Sequence, residues 1–466
     1  MTLKARITAI DRFIKGLKED NIYADLQAAC VMAGWDSLAG ALTPLVGAAP
    51  SNSGFIATDY DRGGIGIEGD ETSYINSNRA DNDELQNDKH LAVYATAASS
   101  TGFAIAGALG AGGSNGSQLA YGATDLVVRA NQASSTATGV VPLQGLHGVS
   151  RASSSAINWR SGGFTDSNSV ASTASEAIDI YVFGRNYATT AVTDATLAFY
   201  SIGSATDLAL LDARVSTLMA DLRAIEEVGF DSSAIEYIRN VEEADGAFLE
   251  TDVKVAINNL VSGLKADGLW DAIGSSCLLS GPRTLAGALV PLRGDAPTPY
   301  GFVSGDHSRT DGLRDPGGTS YLNTNVRDDD YPQDDFHMAG YSTASGTYML
   351  SSYNSSALSG GGANIFLCRT STPFYSPTNT VGFSGLTRSE SSRYFVRKQS
   401  TTGERVEASN EPVDLPIYAF CRSDAAGNPA ATTAIGIAFY SIGTSLDLAK
   451  LDTHVSAYVT AIGAAI

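Results

Sequence analysis

Glu176 and Asp179, in the run SEAIDIY, are the closest match in the sequence to a carboxylate pair for general acid–base work. Glycan hydrolysis needs two such groups facing one cleft. Residues three apart on a strand point to opposite faces, so these two do not share one. Two glycine-rich runs match chemical signatures in spacing only. Gly64–Gly69, GIGIEG, fits G-x-G-x-x-G, which cradles a pyrophosphate when a strand precedes it and a helix follows. The residues after it, DETSYINSN, read as a strand. Gly112–Gly116, GGSNG, fits a nucleophile elbow, which requires strand, sharp turn and helix with a histidine and an acid in reach. It sits in a Gly/Ala/Ser tract without a helix signal and reads as a loop. The sequence therefore assigns no catalytic residue.

Binding chemistry has more candidates. Asn76–Asp88 reads NSNRADNDELQND and Asn323–Asp335 reads NTNVRDDDYPQDD. Clustered Asp and Asn oxygens are the ligands that Ca²⁺ takes, but neither run has the EF-hand spacing with its late Glu. A solvated acidic loop and a Ca²⁺ loop both stand, and no metal ligand is assigned. His90 and His337 each lead an apolar strand, either as hydrogen-bonded structure or as ligands. Arg151/Arg388, Arg160/Arg397 and Arg185/Arg422 recur in equivalent places. Such recurrence points to a shared structural job, for instance pairing with Asp59/Asp306, or to recognition of a sugar or an acid. Trp159, in NWRSGG, either packs in a core or rim or stacks on a sugar ring; its counterpart is Val396. Cys30, Cys277, Cys368 and Cys421 are far apart with no CxxC pairing, and read as buried free thiols.

The elements that must position these residues occur twice. GLKED and LAGALTPLVGAAP, within Phe13–Pro50, return as GLKAD and LAGALVPLRGDAP, within Leu260–Pro297. Gly16 aligns with Gly263, an offset of 247 that also pairs Cys30/Cys277, Phe55/Phe302, Asp59/Asp306, Arg62/Arg309, Tyr74/Tyr321, Gln86/Gln333, His90/His337 and Tyr94/Tyr341. Arg151/Arg388 lie at an offset of 237, so the second copy is shorter between Thr96 and Gly145; LAFYSIG from Leu197 and IAFYSIG from Ile437 lie at 240. At the 237 offset Glu176 and Asp179 fall on Val413 and Pro416, so the second copy lacks the acids altogether. A period this long is a domain duplication, not a short-repeat solenoid. The division is a first module over 1–225, an acidic helical bridge over 226–250 and a second module over 251–466.

Each module opens with a helix: Leu3, Ile7, Ile10, Phe13/Ile14 and Leu17 fall at helical spacing, as do Val253, Ile257, Leu260 and Leu264. A second short helical piece is expected to carry Cys30 or Cys277. A long segment follows with β alternation and Gly, Asn and Asp turns, the pattern of a sandwich. Each module closes with an amphipathic helix through Leu208, Leu211, Val215, Leu218 and Leu222, or Leu448, Leu451, Val455, Tyr458 and Ile462. Asp207 and Asp447 stand where a carboxylate caps free N–H groups.

Thirty Lys and Arg against 50 Asp and Glu give a net charge of −20, which repels nucleic-acid phosphates and anionic membrane surfaces. Each half carries −10, so the charge belongs to the module. No stretch of about 18 apolar residues spans a membrane, and MTLKARITAIDRFIKG is too interrupted by charge for a signal peptide. Synthesis in a cytoplasm is expected. Between Leu91 and Ser150 only Asp125 and Arg129 are charged, and Met338–Cys368 carries no charge. Such strands suit either a sandwich interior or a subunit contact.

The order of motifs resembles a known architecture. GDETSYINSN from Gly69 (GGTSYLNTN from Gly317), HLAVYAT from His90, IYVFGRN, then FYSIG with a closing helix, is similar to concanavalin-like, laminin-G-type jelly rolls. The paired LAGALxPLxG, TSYxN and FYSIGxxxDLAxLDxxV runs resemble tandem modules of tailed-bacteriophage virion proteins, tail-fibre, appendage or other particle-surface components. The resemblance implies a mainly β chain of two jelly-roll β-sandwiches, each with N-terminal helices and a C-terminal helix. It implies a non-enzymatic structural protein on the virion surface, made in the bacterial host and contacting other virion proteins. A homo-oligomer and adhesion to a host glycan are expected. Such modules often hold Ca²⁺ at a loop rim, while no cofactor is required. The alternatives are a capsid decoration, cement or tail scaffold protein acting through protein contacts alone, and a glycan hydrolase. No binding residue carries over, because these modules have no fixed functional motif.

Overall fold

The computed structural model describes residues 3–61, 63, 65–99, 104–122, 125–141, 143–187, 191–314, 317–359, 365–375 and 381–466. Arg62 and Gly64, named above, lie outside these residues. The chain forms two compact units, Met1–Gly229 with Gly246–Thr251, and Phe230–Asp245 with Asp252–Ile466. The stretch 226–250 is thus divided between them.

The first unit is mainly β and has three layers. Among the described residues, one eight-stranded sheet runs in the order Phe164–Ser169, Ala156–Ser161, Gly145–Arg151, Lys89–Ala97, Thr196–Gly203, Gly66–Glu68, Tyr60–Asp61, with Leu26–Val31 also on Thr196–Gly203. The second sheet, nine-stranded, has the path Thr136–Ala137, Leu126–Ala130, Gly116–Tyr121, Ala104–Leu109, Asp179–Val182, Tyr74–Ala80, Ser51–Ser53. Helices Leu3–Glu19 and Leu208–Glu226 lie on the far side of the first sheet. The second unit repeats the plan. Its first sheet centres on Gly436–Gly443 and Phe336–Ala344, its second on Tyr321–Arg327 and Pro416–Ala419, and the closing helix Leu448–Ala465 packs on the first.

The first sheet is therefore covered on both faces. Leu91, Val93 and Ala95 enter the sandwich core, while Ala92 and Tyr94 meet the helices. A strand buried on both sides takes a charge only with a buried partner, as at Lys89 beside Asp81, which accounts for its uncharged run from Leu91. Asp207 Oδ1 accepts from Ala209 N at 2.8 Å and Leu210 N at 3.2 Å, and Asp447 repeats the cap on Ala449 and Lys450.

One expectation fails. Cys30 and Cys277 lie on strands, Leu26–Val31 and Ile273–Leu278, not on short helices. These alanine- and serine-rich runs pair antiparallel with Thr196–Gly203 and Gly436–Gly443, and tertiary pairing overrides alanine's helical preference. The helical pieces nearby are single turns, Leu38–Ala41 and Leu285–Ala288. All four thiols are free and buried. Burial pushes Cys30 up to about 11 and Cys277, Cys368 and Cys421 to about 12, so they stay protonated at neutral pH.

Candidate functional site

Helices pack on the first sheet, so the outer face of the second sheet is the place to look for a site. Strand alternation decides which side chains it presents. Ile75, Leu119, Val128, Ile180 and Val182 point into the core of the first unit. Tyr74, Gln118, Arg129 and Tyr181 therefore lie on the outer face, where Gln118 and Arg129 are themselves buried. The second unit presents Tyr321, Ser351, Leu367 and Tyr418 there, since Leu322, Leu350, Phe366 and Ile417 fill its core.

An arginine is delivered to this face in both units by the same backbone device. Phe183 and Phe420 adopt φ of +66° and +69°, the left-handed region that a bulky side chain rarely enters. Each ring is held edge-on by a partner, Phe55 at 4.8 Å and Phe302 at 5.0 Å. The kink ends the strands Asp179–Val182 and Pro416–Ala419 and brings Arg185 and Arg422, two residues on, over the sheet. Arg185 Nη1 donates to Gln118 Oε1 at 2.9 Å, with Tyr187 at 5.4 Å. Arg422 instead stands 5.7 Å from the ring centres of both Tyr348 and Tyr353.

In the second unit this arrangement opens a cavity of about 390 Å³, lined by Tyr348, Ser351, Ser352, Asn354, Leu367, Arg422 and neighbouring residues. Arg422 is the charged group of its lining. The Nε of Arg422 and the hydroxyl of Ser352 are buried and have no hydrogen-bond partner among the described residues. A buried donor without a partner costs roughly 1–3 kcal/mol, so both groups favour a polar guest. Beside the cavity strand stands a tyrosine platform: Tyr300 and Tyr321 stack at 4.7 Å and 12°, and Tyr418 meets Tyr321 edge-on at 5.5 Å. Tyr300 is 44 % exposed. In the first unit Tyr74 and Tyr181 stack at 4.3 Å.

The other candidates are structural. Arg151 is fully buried; its Nε donates to Ala130 O at 2.6 Å and its Nη1 to Ser153, Ala156 and Val170 carbonyls. Arg388 does the same with Cys368 O and four carbonyls. Arg160 and Arg397 pair with acids, but not with Asp59 and Asp306. Their partners are Asp212 and Asp452 on the closing helices, at 2.6 and 2.7 Å. Asp59 and Asp306 accept from the backbone N–H of Ile56 and Val303. Trp159 lies in the core with its Nε1 donating to Asn168 Oδ1 at 2.8 Å.

His90 and His337 are buried and fully engaged. Nδ1 of each donates to a carbonyl, Ser204 at 2.6 Å and Thr444 at 2.5 Å, leaving Nε2 to accept from Ser201 and Ser441 hydroxyls. Burial lowers both to about 4, so both rings are neutral at pH 7.

The acidic loops spend their oxygens internally. Asp83 and Asp330 accept from Ala80 N and Arg327 N, and Asp88 and Asp335 from Ala205 N and Ser445 N. Among the described residues no three His, Cys, Asp or Glu side chains converge as metal ligands. The residues present do not fit a Ca²⁺ cage. Glu176 accepts from Asn115 and Asp179 from Asn76, so they do not act as a pair. Gly66 (φ +104°) sits where a Cβ would lie 2.2 Å from Leu197 O, so GIGIEG is glycine-rich for strand contact. Gly112–Gly116 lies in the turn between Ala104–Leu109 and Gly116–Tyr121.

The tyrosine platform escaped the sequence reading, although Tyr74/Tyr321 and the tyrosines of the IYVF and IYAF runs were visible as repeat markers. Counting alternate residues from Ile75 and Leu322 would have placed them outward.

No protein-family model matches the sequence, and no curated protein does. Among solved structures, the chain is similar to the mouse laminin α1 chain domains LG4-5, with 10 % identity over 86 % of this chain and 92 % of that one, at a TM-score of 0.23. It is also similar to the botulinum neurotoxin serotype D binding domain, with 9 % identity over 91 % and 97 % of the two chains and a TM-score of 0.31. A bacteriophage CBA120 tailspike protein 2 enzymatically active domain matches at 10 % identity over 36 % of this chain and 29 % of that one, with a TM-score of 0.23. These are likenesses of fold, and the two-sandwich architecture itself stands on the strand pairing described above.

Proposed function

We propose that the protein is a non-enzymatic structural component of a tailed-phage particle that holds a host-surface glycan in the cleft at Arg422. The observation that carries the reading is the juxtaposition of Arg422, the Tyr348 ring and a buried serine hydroxyl, Ser352, in one cavity of about 390 Å³, with the Tyr353 ring 5.7 Å from the same arginine. Small-ligand pockets combine apolar and aromatic walls with a few placed polar groups, and this one has that composition. Aromatic rings offer flat apolar faces to a sugar's C–H side, and the guanidinium fork suits paired hydroxyls or a carboxylate. Tyr300 and Tyr321 extend the surface along which further sugars would lie. Arrays of host-envelope glycans test this. The expected result is binding that Arg422→Ala weakens by about tenfold or more, about 1.4 kcal/mol, while Arg185→Ala leaves it unchanged. Absence of binding to any such glycan at millimolar sugar overturns it.

The exposed apolar side chains Leu3 and Ile7 favour a second reading, in which the chain acts through protein contacts alone as capsid decoration or tail scaffold. Counting copies per particle separates the two. Hundreds on the head mark decoration, and a few to a few dozen at the tail mark a fibre.

A further inference from the structure

The two units deliver an arginine to the second sheet by the same turn, but the arginine meets different neighbours. Strand register fixes which residues correspond. Gly107 pairs with Tyr181 on one side and Gln118 on the other, and Ser351 with Tyr418 and Ala357. Tyr181 and Tyr418 lie at the offset of 237, so Gln118 corresponds to Ala357. One strand further out, Gln118 faces Arg129 and Ala357 faces Leu367. The second unit therefore has alanine and leucine where the first has an acceptor and a second arginine.

That exchange decides the state of the arginine. In the first unit Gln118 Oε1 accepts from Arg185 Nη1 at 2.9 Å. In the second, Ala357 and Leu367 line the cavity of about 390 Å³ together with Arg422. Among the described residues Arg422 makes no ion pair, and its Nε has no hydrogen-bond partner. This is unusual in a chain with 50 acidic and 30 basic side chains. Other arginines have found a carboxylate: Arg160 lies 2.6 Å from Asp212, Arg214 2.7 Å from Asp20 and Arg397 2.7 Å from Asp452. The cleft offers Arg422 none, since the polar residues of its lining are tyrosine, serine and asparagine. The guanidinium is also held in place. Arg422 pairs with Ala430 in a short hairpin, Ser423 Oγ accepts from Tyr353 N at 2.8 Å, and the rings of Tyr348 and Tyr353 flank the cation.

We infer that the cleft takes an acidic sugar and reads its carboxylate with Arg422, in the role that Gln118 Oε1 plays for Arg185. The inference rests on the glycan reading above and narrows it to one class of glycan. A fixed cation with neutral walls and no acceptor of its own favours an anionic guest, and the planar guanidinium fork matches the two oxygens of a carboxylate. Neutral sugars offer only hydroxyls, whose hydrogen bonds to a cation are the weaker kind.

The test uses methyl glucuronoside and the methyl glycoside of N-acetylneuraminic acid as two carboxylated probes. Methyl glucoside is the neutral counterpart, and its sulfate ester is an anion without a carboxylate. Each is titrated with the full chain and followed by NMR. At least one acid is expected to bind about tenfold or more tighter than methyl glucoside, and which acid does so separates a uronic from a nonulosonic sugar. Arg422→Gln should abolish the preference. Ala357→Gln should abolish it too, because it restores the first unit's acceptor while leaving Arg422 in place. Ala357 faces the cavity, which has room for the longer side chain, and thermal melting by circular dichroism checks that both variants fold. Equal binding of the acids and methyl glucoside, or a preference that survives either variant, overturns this inference and leaves the glycan reading standing. So does a sulfate ester that binds as tightly as the carboxylates. Failure of every sugar to bind overturns both.

Discussion

Asp81 and Asp328 are fully buried at equivalent places, and the two units neutralise them from different positions. In the first, Lys89 Nζ lies 2.7 Å from Asp81 Oδ1 and 3.2 Å from Asn131 Oδ1. In the second, Phe336 stands in place of Lys89, and Arg369 in place of Asn131. Its guanidinium covers the Phe336 ring at 4.2 Å, its Nε is 3.8 Å from Asp328, and Ser355 and Ser356 donate to the same carboxylate. Removing one partner of such a pair strands the other. Lys89→Met is expected to cost about 3–5 kcal/mol in urea unfolding. Lys89→Met with Asp81→Asn should recover most of it. A second residue-scale prediction concerns pH. His90, His147 and His337 are held near 4 by burial, against an ordinary value of 6.5. The unfolded chain binds more protons between those values, so stability falls as pH drops from about 6.5 to 4, by up to about 3 kcal/mol per ring. His147 has Ser384 as its counterpart, paired with Lys398 at 2.9 Å. Burial lowers His307 of the second unit as well, so both units should lose denaturation midpoint on acidification, read by hydrogen exchange unit by unit.

At the scale of elements, the closing helices are fixed by the same three contacts in each unit. Asp207 or Asp447 caps the first turn. One turn later Asp212 or Asp452 reaches the strand arginine, and Ser216 or Ser456 donates to the same aspartate at 2.9 or 2.8 Å. Asp207→Ala and Asp447→Ala should each cost about 1 kcal/mol in thermal unfolding. A larger loss is expected where strands cross closely. Gly312 has φ +82°, and a Cβ there would lie 2.2 Å from Ile437 O. Gly312→Ala should cost more than about 2 kcal/mol, whereas Gly305→Ala, which meets nothing within 4 Å, should stay within about 0.5 kcal/mol. The closing helices were legible because their apolar residues keep a period of 3.6. The strands of Cys30 and Cys277 were not, since a short apolar run buried on both sides has no period that separates strand from helix.

For the whole molecule, the duplication was plain in the sequence because equal burial problems had kept equal residues, such as His90/His337 and Arg151/Arg388. The cleft was not. Arg422 and Tyr348 meet through the left-handed turn at Phe420, and nothing about a phenylalanine announces that conformation. Nor was the split of the bridge legible, since Tyr237, Ile238 and Val241 show an amphipathic helix without naming the unit it covers. That helix gives a prediction at this scale. A fragment of residues 230–466 should be soluble and melt cooperatively, while one of residues 252–466, with Val253, Ile257 and Val261 uncovered, should aggregate on gel filtration.

The displaced cation has a consequence for the gene. Two similar stretches in one reading frame are prone to misaligned recombination, which tends to make the halves alike. A crossover between the codons of Lys89 and Asn131 and their counterparts would join Lys89 to Arg369, two cations against one carboxylate, or Phe336 to Asn131, a buried carboxylate with none. Both products are expected to lose stability, because each leaves a buried charge out of balance.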